Sequence, residues 1–245
     1  MSSLETRKIE PATGTTVTLG AGGDTVLVSA DQLKTNTVKD AGGNTLFTSN
    51  GAGTLSSVNS AIAGSMIFIS SQTASSSSSL SFTSGIDSTY DEYVFYYVNI
   101  HPATDRAKFL FQVNASSQSG FNESMTTTSF IAYNAESGGT PVLGYRTGAD
   151  QANGTAYQKL SEEISNASKG STSGEFHLFA PSSTTYVKQF YQRSSDYNDT
   201  GGGAIYANAS FTAGFINVTA AITEIDFKMD SGNIDAGTIY MYGIS

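Results

Sequence analysis

The sequence predicts an all-β protein: an N-terminal Gly-rich β-repeat stalk or clamp, then an antiparallel β-sandwich (jelly-roll-like) domain. Three observations carry this. Charged residues make up only 13% of the chain, with Ser, Thr, Asn, Ala and 25 Gly in their place; that is about half the usual charged share. Strand-friendly Thr, Val and Ile abound beside 13 Tyr and 14 Phe, and strong helix-forming stretches are nearly absent. Short runs alternating polar and apolar residues recur between Gly-, Ser- and Asn-rich turns, as half-buried strands do. A chain of 245 residues can hold one large β domain, or a small domain with a medium one.

Residues 1–11 form a polar arm carrying Glu5, Arg7, Lys8 and Glu10 and closed by Pro11. Such an arm frays unless something ties it down, so a docking role is expected. Residues 12–60 are the repeat region. Ala21-Gly22-Gly23-Asp24-Thr25-Val26-Leu27-Val28-Ser29-Ala30 is answered by Ala41-Gly42-Gly43-Asn44-Thr45-Leu46-Phe47-Thr48-Ser49-Asn50. Each copy reads as a Gly-Gly turn followed by a short strand, with further runs at Thr15–Leu19 and from Thr54-Leu55. Phe47 is the one aromatic here. So little bulk cannot make an independent core. The region must lean on a neighbouring repeat, another copy of the chain or a larger structure.

Ser60-Ala61-Ile62-Ala63-Gly64 is the joint, and residues 61–245 are the sandwich domain. Strands are expected at 65–71, 80–83, 92–100, 107–114, 128–134, 142–147, 156–160, 175–180, 186–193, 205–218 (one bent strand or two, hinged at Gly214), 223–229 and 238–244. The strand 92–100 is apolar on both faces, Tyr93, Phe95 and Tyr97 against Val94, Tyr96, Val98 and Ile100, which places it where both sides are covered. Residues 107–114 alternate Phe109, Phe111 and Val113 with Lys108, Gln112 and Asn114. They are expected to pair with 92–100 as a hairpin. Loops are expected at 116–122, 135–140, 166–174 and 194–203, a loop or polar edge at 75–79, and a turn or two of helix at 160–167.

Several functions are disfavoured by composition. A net charge of −9 and a pI near 4.5 argue against nucleic acid or an anionic membrane as partner. The absence of Cys removes disulfides, thiolate metal sites and thiol nucleophiles, and favours a prokaryotic or viral source. Met1–Lys8 lacks the apolar core of a signal peptide, and no apolar run reaches the ~20 residues of a membrane span. The chain is therefore expected to be made in the cytosol. The sequons at Asn114, Asn122, Asn153, Asn166, Asn198, Asn208 and Asn217 then read as a by-product of Asn, Ser and Thr abundance.

Chemistry is sparse. His101 and His177 are the only histidines, and a metal site would need both brought to one carboxylate. No nucleophile elbow supports a Ser-His-Asp order. Glycoside hydrolysis needs two carboxylates across a cleft, from Asp87, Asp91 and Glu92, from Asp196 and Asp199, or from Asp226 and Asp230. Asp230–Gly237 lacks the acidic alternation and closing Glu of a calcium loop and reads as a turn. The loop 194–203, with Asp196, Tyr197, Asn198, Asp199 and Gly201-Gly202-Gly203, has the make-up of a sugar-binding loop. The sequence thus designates no catalytic, cofactor-binding or metal residue; no cofactor and no enzyme activity are expected.

Gly14–Val26 and Asp40-Ala41-Gly42-Gly43-Asn44-Thr45 resemble the N-terminal repeats of tail-fibre-like and other virion proteins of marine tailed bacteriophages. Phe82–Asp91, Asn99-Ile100-His101-Pro102-Ala103-Thr104-Asp105 and Ser231–Ile244 are similar to the same group, so the likeness covers most of the chain. It implies a particle-surface location in a virion assembled in a host cytoplasm, and supplies no catalytic residues. Three readings follow. The first is a homo-oligomeric, trimeric appendage of tail-fibre or head-fibre type. It docks to other virion proteins through residues 1–60 and turns its sandwich toward host-surface glycans. The second is a capsid decoration or cement protein stabilising the shell. The third is a glycan hydrolase or a bacterial surface adhesin.

Overall fold

The computed structural model describes residues 35–49, 55–58, 65–199 and 204–244. The chain divides into two compact units, Met1–Asn59 and Ser60–Ser245. Every regular element among the described residues is a β-strand. The arm 1–11, the strand expected at 15–19, the first Gly-Gly echo at 21–30 and the joint 60–64 lie outside the described residues.

In the first unit, β1 (Thr37–Lys39), β2 (Thr45–Ser49) and β3 (Leu55–Val58) form an antiparallel sheet in that order. The strand at Thr37–Lys39 was not expected from the sequence. The second echo makes the β1–β2 hairpin turn. Asp40 accepts hydrogen bonds from the Asn44 backbone N–H at 2.8 Å and the Asn44 side-chain amide at 3.0 Å. The Asn44 side-chain bond, and then its backbone bond, hold the Asp40 carboxyl below its ordinary pKa. Gly43 supplies the left-handed turn residue, with φ of 84°, which glycine adopts without Cβ strain. No described residue of this unit is buried, as expected of strands with so little apolar bulk.

The second unit contains two antiparallel sheets. The larger has β4 (Met66–Thr73), β15 (Ile234–Ile244), β6 (Glu92–Pro102), β11 (Thr172–Phe179), β12 (Lys188–Asp199), β13 (Ile205–Ile216), β8 (Met125–Ala135) and β9 (Val142–Tyr145), in that order. The smaller has β10 (Gln158–Lys159), β7 (Phe109–Ala115), β14 (Ile222–Met229) and β5 (Leu80–Phe82). Aromatic side chains alternating inward from both sheets fill the space between them. Phe111 lies 4.4 Å from Phe176 and 5.0 Å from Phe190, Phe95 lies 5.7 Å from Phe227, and Tyr97 lies 5.3 Å from Phe109. Offset and edge contacts of this kind add about 1 kcal/mol per pair beyond burial.

Several local expectations give way to this arrangement. Residues 92–100 and 107–114 do not form a hairpin. They belong to opposite sheets and meet across the core, because Phe109, Phe111 and Val113 fill the gap facing Phe95, Tyr97 and Phe176. The second face of strand β6 is covered only at its start: Val94 is buried, but Tyr96 is half-buried and Val98 is 42% exposed. Ile100 reaches the core because Val98 and Asn99 together face Ser173 in a bulge, Asn99 having φ of 52°; such a bulge shifts later residues to the other face. Strand β13 runs unbroken through Gly214.

The expected helix at 160–167 is irregular chain. Its N–H groups bond outward instead of along a helix: Leu160 N donates to Phe109 O at 2.8 Å and Ile164 N to Ala107 O at 2.9 Å. This segment lies against a polar inner surface of the large sheet. Ser194 Oγ donates to Leu160 O at 3.0 Å, Glu162 N donates to Asp196 Oδ2 at 3.2 Å, and Thr127 Oγ1 donates to Gln158 Oε1 at 2.9 Å. Expected loops at 166–174 and 194–203 accordingly become strand at Thr172–Gly174 and Ser194–Asp199. Their inward groups are hydrogen-bonded instead of apolar, so hydrophobic alternation does not reveal them.

Candidate functional site

The outer face of the eight-stranded sheet carries an ordered set of side chains. One row crosses every strand: Ser71, Tyr240, Tyr96, Glu175, Arg193, Phe211, Phe130 and Tyr145 are successive cross-strand partners. Phe130 and Phe211 stack at 4.9 Å and 24°. Beside this ridge runs a row of small residues, Ala132, Ala209, Ser195 and Ser173, again paired strand to strand. Beyond it stand Asn134, Ala207 and Tyr197.

The small-residue row beside the aromatic ridge, with Asn134 and Tyr197 standing at the two ends of the row beyond it, makes a trough. Its volume near Tyr96, Val98, Phe130 and Phe211 is about 620 Å³. A second hollow of about 580 Å³ shares Ser173 and Ser195 and continues toward Tyr197, Tyr206 and Glu136. The β6 bulge closes one end, where Asn99 N donates to Ser173 Oγ at 2.9 Å. Burial, and then the Glu175 charge, push the Tyr96 hydroxyl upward, so it remains a neutral hydrogen-bonding group.

Charged and titratable groups gather at one place on this face. Glu92 Oε1 stands 2.5 Å from His177 Nδ1, which donates to it. His177 Nε2 lies 3.5 Å from Glu175 Oε1, and Arg193 Nε lies 2.6 Å from the same oxygen. The Tyr191 ring stacks on His177 at 4.4 Å. Glu175 orients a guanidinium whose side chain is 71% exposed.

The sequence-designated residues are mostly dispersed. Asp196 is buried on the inner face, where Thr172 Oγ1 donates to it at 2.5 Å, and burial pushes its carboxyl up to about 7. Tyr197 faces the trough's continuation, whereas Asn198 lines a separate polar hollow with Arg106, Arg146 and Glu162. Asp199 ends β12 three positions after Asp196, hence on the opposite face. Residues 201–203 lie outside the described residues. Asp87 accepts from Thr89 N at 2.8 Å and Tyr93 Oη at 3.1 Å. Asp226 accepts from Ser81 Oγ at 2.5 Å and Tyr157 Oη at 2.9 Å, while Asp230 accepts from Lys108 N at 2.9 Å. Each is thus occupied in its own turn or sheet contact. Asp91 sits in the turn before β6, its backbone carbonyl accepting from Ala180 N at 2.6 Å.

His101 bonds to the Gly170 carbonyl at the far end of β6 from Val94, the residue that faces His177. Asp230–Gly237 is a turn running into β15, as expected, with Ala103 N donating to Asn233 O at 3.0 Å. Among the described residues, no three His, Asp or Glu side chains gather as a metal would require. Sequence reasoning named Tyr197 but missed Arg193, Glu175, Phe130 and Phe211. The available signal was alternation of aromatics with Ala and Ser on outward positions; their register across strands is set only by the fold.

Fold and site together define an antiparallel, sandwich-like all-β protein with a ridged and troughed outer sheet. No known protein family, curated protein or solved structure matches this chain.

Proposed function

We infer that the protein is a structural virion component of a tailed bacteriophage, a trimeric surface appendage of tail-fibre or head-fibre type. Residues 1–60 form a Gly-rich stalk or clamp docked to other virion proteins, and the jelly-roll-like sandwich is turned outward for host-surface recognition. The observation that carries this reading is the contrast between the units. The second has a continuous aromatic core of its own, whereas the described part of the first buries no residue. A small sheet without burial gains stability by association, and further copies of the chain in the particle would supply that burial. The sequence resemblance to phage virion proteins supplies the particle context.

The test is localisation. Antibodies raised against residues 65–245 should label purified particles at discrete surface sites, and the protein should remain with particles through density-gradient purification. A uniform label over the capsid lattice would favour a decoration protein. Absence from washed particles would remove the virion reading.

A further inference from the structure

We propose that the outer-sheet trough binds a neutral oligosaccharide chain, laid across β8, β13, β12 and β11 beside the Phe130–Phe211 ridge, with Arg193 donating to its hydroxyls. The proposal deepens the outward-facing recognition reading above and rests on it.

Shape comes first. The small-residue row spans four strands, about 14 Å at ordinary inter-strand spacing, and the hollows on its two sides, each crossing the same four strands, share Ser173 and Ser195. That outline suits an extended chain better than a compact molecule. The wall has the matching chemistry. Phe130 is 42% exposed and stacks on Phe211, giving an apolar shelf for the C–H face of a sugar ring. The floor presents methyl groups at one end, Ala132 and Ala209, and hydroxyl groups at the other, Ser195 and Ser173. An apolar hollow with a few oriented polar groups is the usual form of a ligand site.

Arg193 supplies the oriented donor. Its Nε is committed to Glu175 at 2.6 Å, which leaves the terminal nitrogens of a largely exposed guanidinium to engage paired oxygens. Charge decides between neutral and acidic glycans. Glu175 offsets Arg193, Glu136 lines the far hollow, and the whole chain carries −9. A polyanion would meet repulsion over most of this face. The paired hydroxyls of neutral sugars meet none.

The experiment is calorimetric titration of the full chain with cellohexaose, maltohexaose, mannohexaose, chitohexaose and, as the acidic probe, hexagalacturonate. Phe130→Ala, Arg193→Gln and Ala209→Trp are compared, each checked for a native far-UV spectrum and a cooperative melt; Ala209→Trp fills the trough while removing no contact. The expected result is saturable binding of at least one neutral hexasaccharide, weakened about tenfold or more by each variant, a loss near 1.4 kcal/mol. The proposal is overturned by no neutral binding, by binding that all three variants leave intact, or by preference for hexagalacturonate. Self-association that Ala209→Trp abolishes, without sugar binding, would assign the trough to a second copy of the chain. Particle localisation is read separately. A chain that binds sugar through the trough but is absent from particles keeps this site and loses the appendage reading, and the converse pattern does the reverse.

Discussion

The Tyr97 hydroxyl occupies the space that a side chain at position 174 would fill. A Cβ built on Gly174 would meet Tyr97 Oη at 2.5 Å and the Arg193 carbonyl oxygen at 2.2 Å. The glycine lets Tyr97 lie against β11 and reach Gln192 Oε1 at 3.0 Å and Arg193 O at 3.2 Å, directly under the trough. Gly174→Ala is expected to destabilise by about 2–3 kcal/mol through overpacking, and Tyr97→Phe by about 1 kcal/mol through the lost hydrogen bond. The double variant should cost somewhat less than the sum, because removing the hydroxyl relieves one of three close approaches, those to the Arg193 carbonyl and to Tyr97 Cζ at 2.7 Å remaining. Urea denaturation of the four proteins checks this.

The buried Asp196 makes stability fall as pH rises. Burial lifts its carboxyl from 3.8 in the unfolded chain to about 7 in the fold, against the hydrogen bonds from Thr172, Glu162 N–H and Ser194 that favour the charged form. Between those values the folded state holds a proton that the unfolded state has released. The penalty is absent below about pH 4 and complete above about pH 7, where it amounts to about 4 kcal/mol. Asp196→Asn is expected to flatten this part of the stability profile and raise the melting temperature at pH 8. Thermal melts between pH 4 and 8 read both effects.

The same residue shows what the sequence could and could not disclose. Strands rich in apolar residues, such as Glu92–Pro102 and Ile222–Met229, were legible almost to their ends. Residues 194–203, with Asp196, Tyr197, Asn198, Asp199 and three glycines, have the make-up of a solvated sugar-binding loop, yet Ser194 and Asp196 face inward and bond to chain from another part of the sequence. Gln112 looked like a solvent-facing residue between Phe111 and Val113. It is fully buried, its amide donating to the Glu123 and Thr155 carbonyls at 3.0 Å and 3.2 Å. Long-range polar coverage leaves no periodic trace. The trough was hidden for the same reason, since its residues come from four strands whose register is not written locally.

Lys188 holds together the chain before β14. Its fully buried side chain donates from Nζ to the carbonyls of Val218, Thr219 and Ala220 at 3.2, 2.7 and 2.6 Å. Burial lowers the pKa of the amine, opposed by the charge of Glu123. Lys188→Met keeps most of the volume and leaves these carbonyls without their donor, so a loss of about 3 kcal/mol is expected. Chemical denaturation measures it. Amides of residues 218–222 should also lose hydrogen-exchange protection.

The first unit should be protected only in company. With no buried residue among 35–49, the β2 amides in isolated chains are expected to exchange close to unprotected rates, while those of β6 and β12 exchange only by global unfolding. On assembled particles the β2 amides should slow by orders of magnitude. Hydrogen–deuterium exchange read by mass spectrometry on free and particle-bound protein makes the comparison.

Attachment of a chain beginning at Ser65, offered to particles that lack the native protein, tests the division of labour most directly. The expected result is a soluble protein with a cooperative melt of its own and no attachment, while the full chain binds. Attachment of the shortened chain at the level of the full chain would show that the sandwich does the docking and would contradict the assignment of residues 1–60 as the anchor.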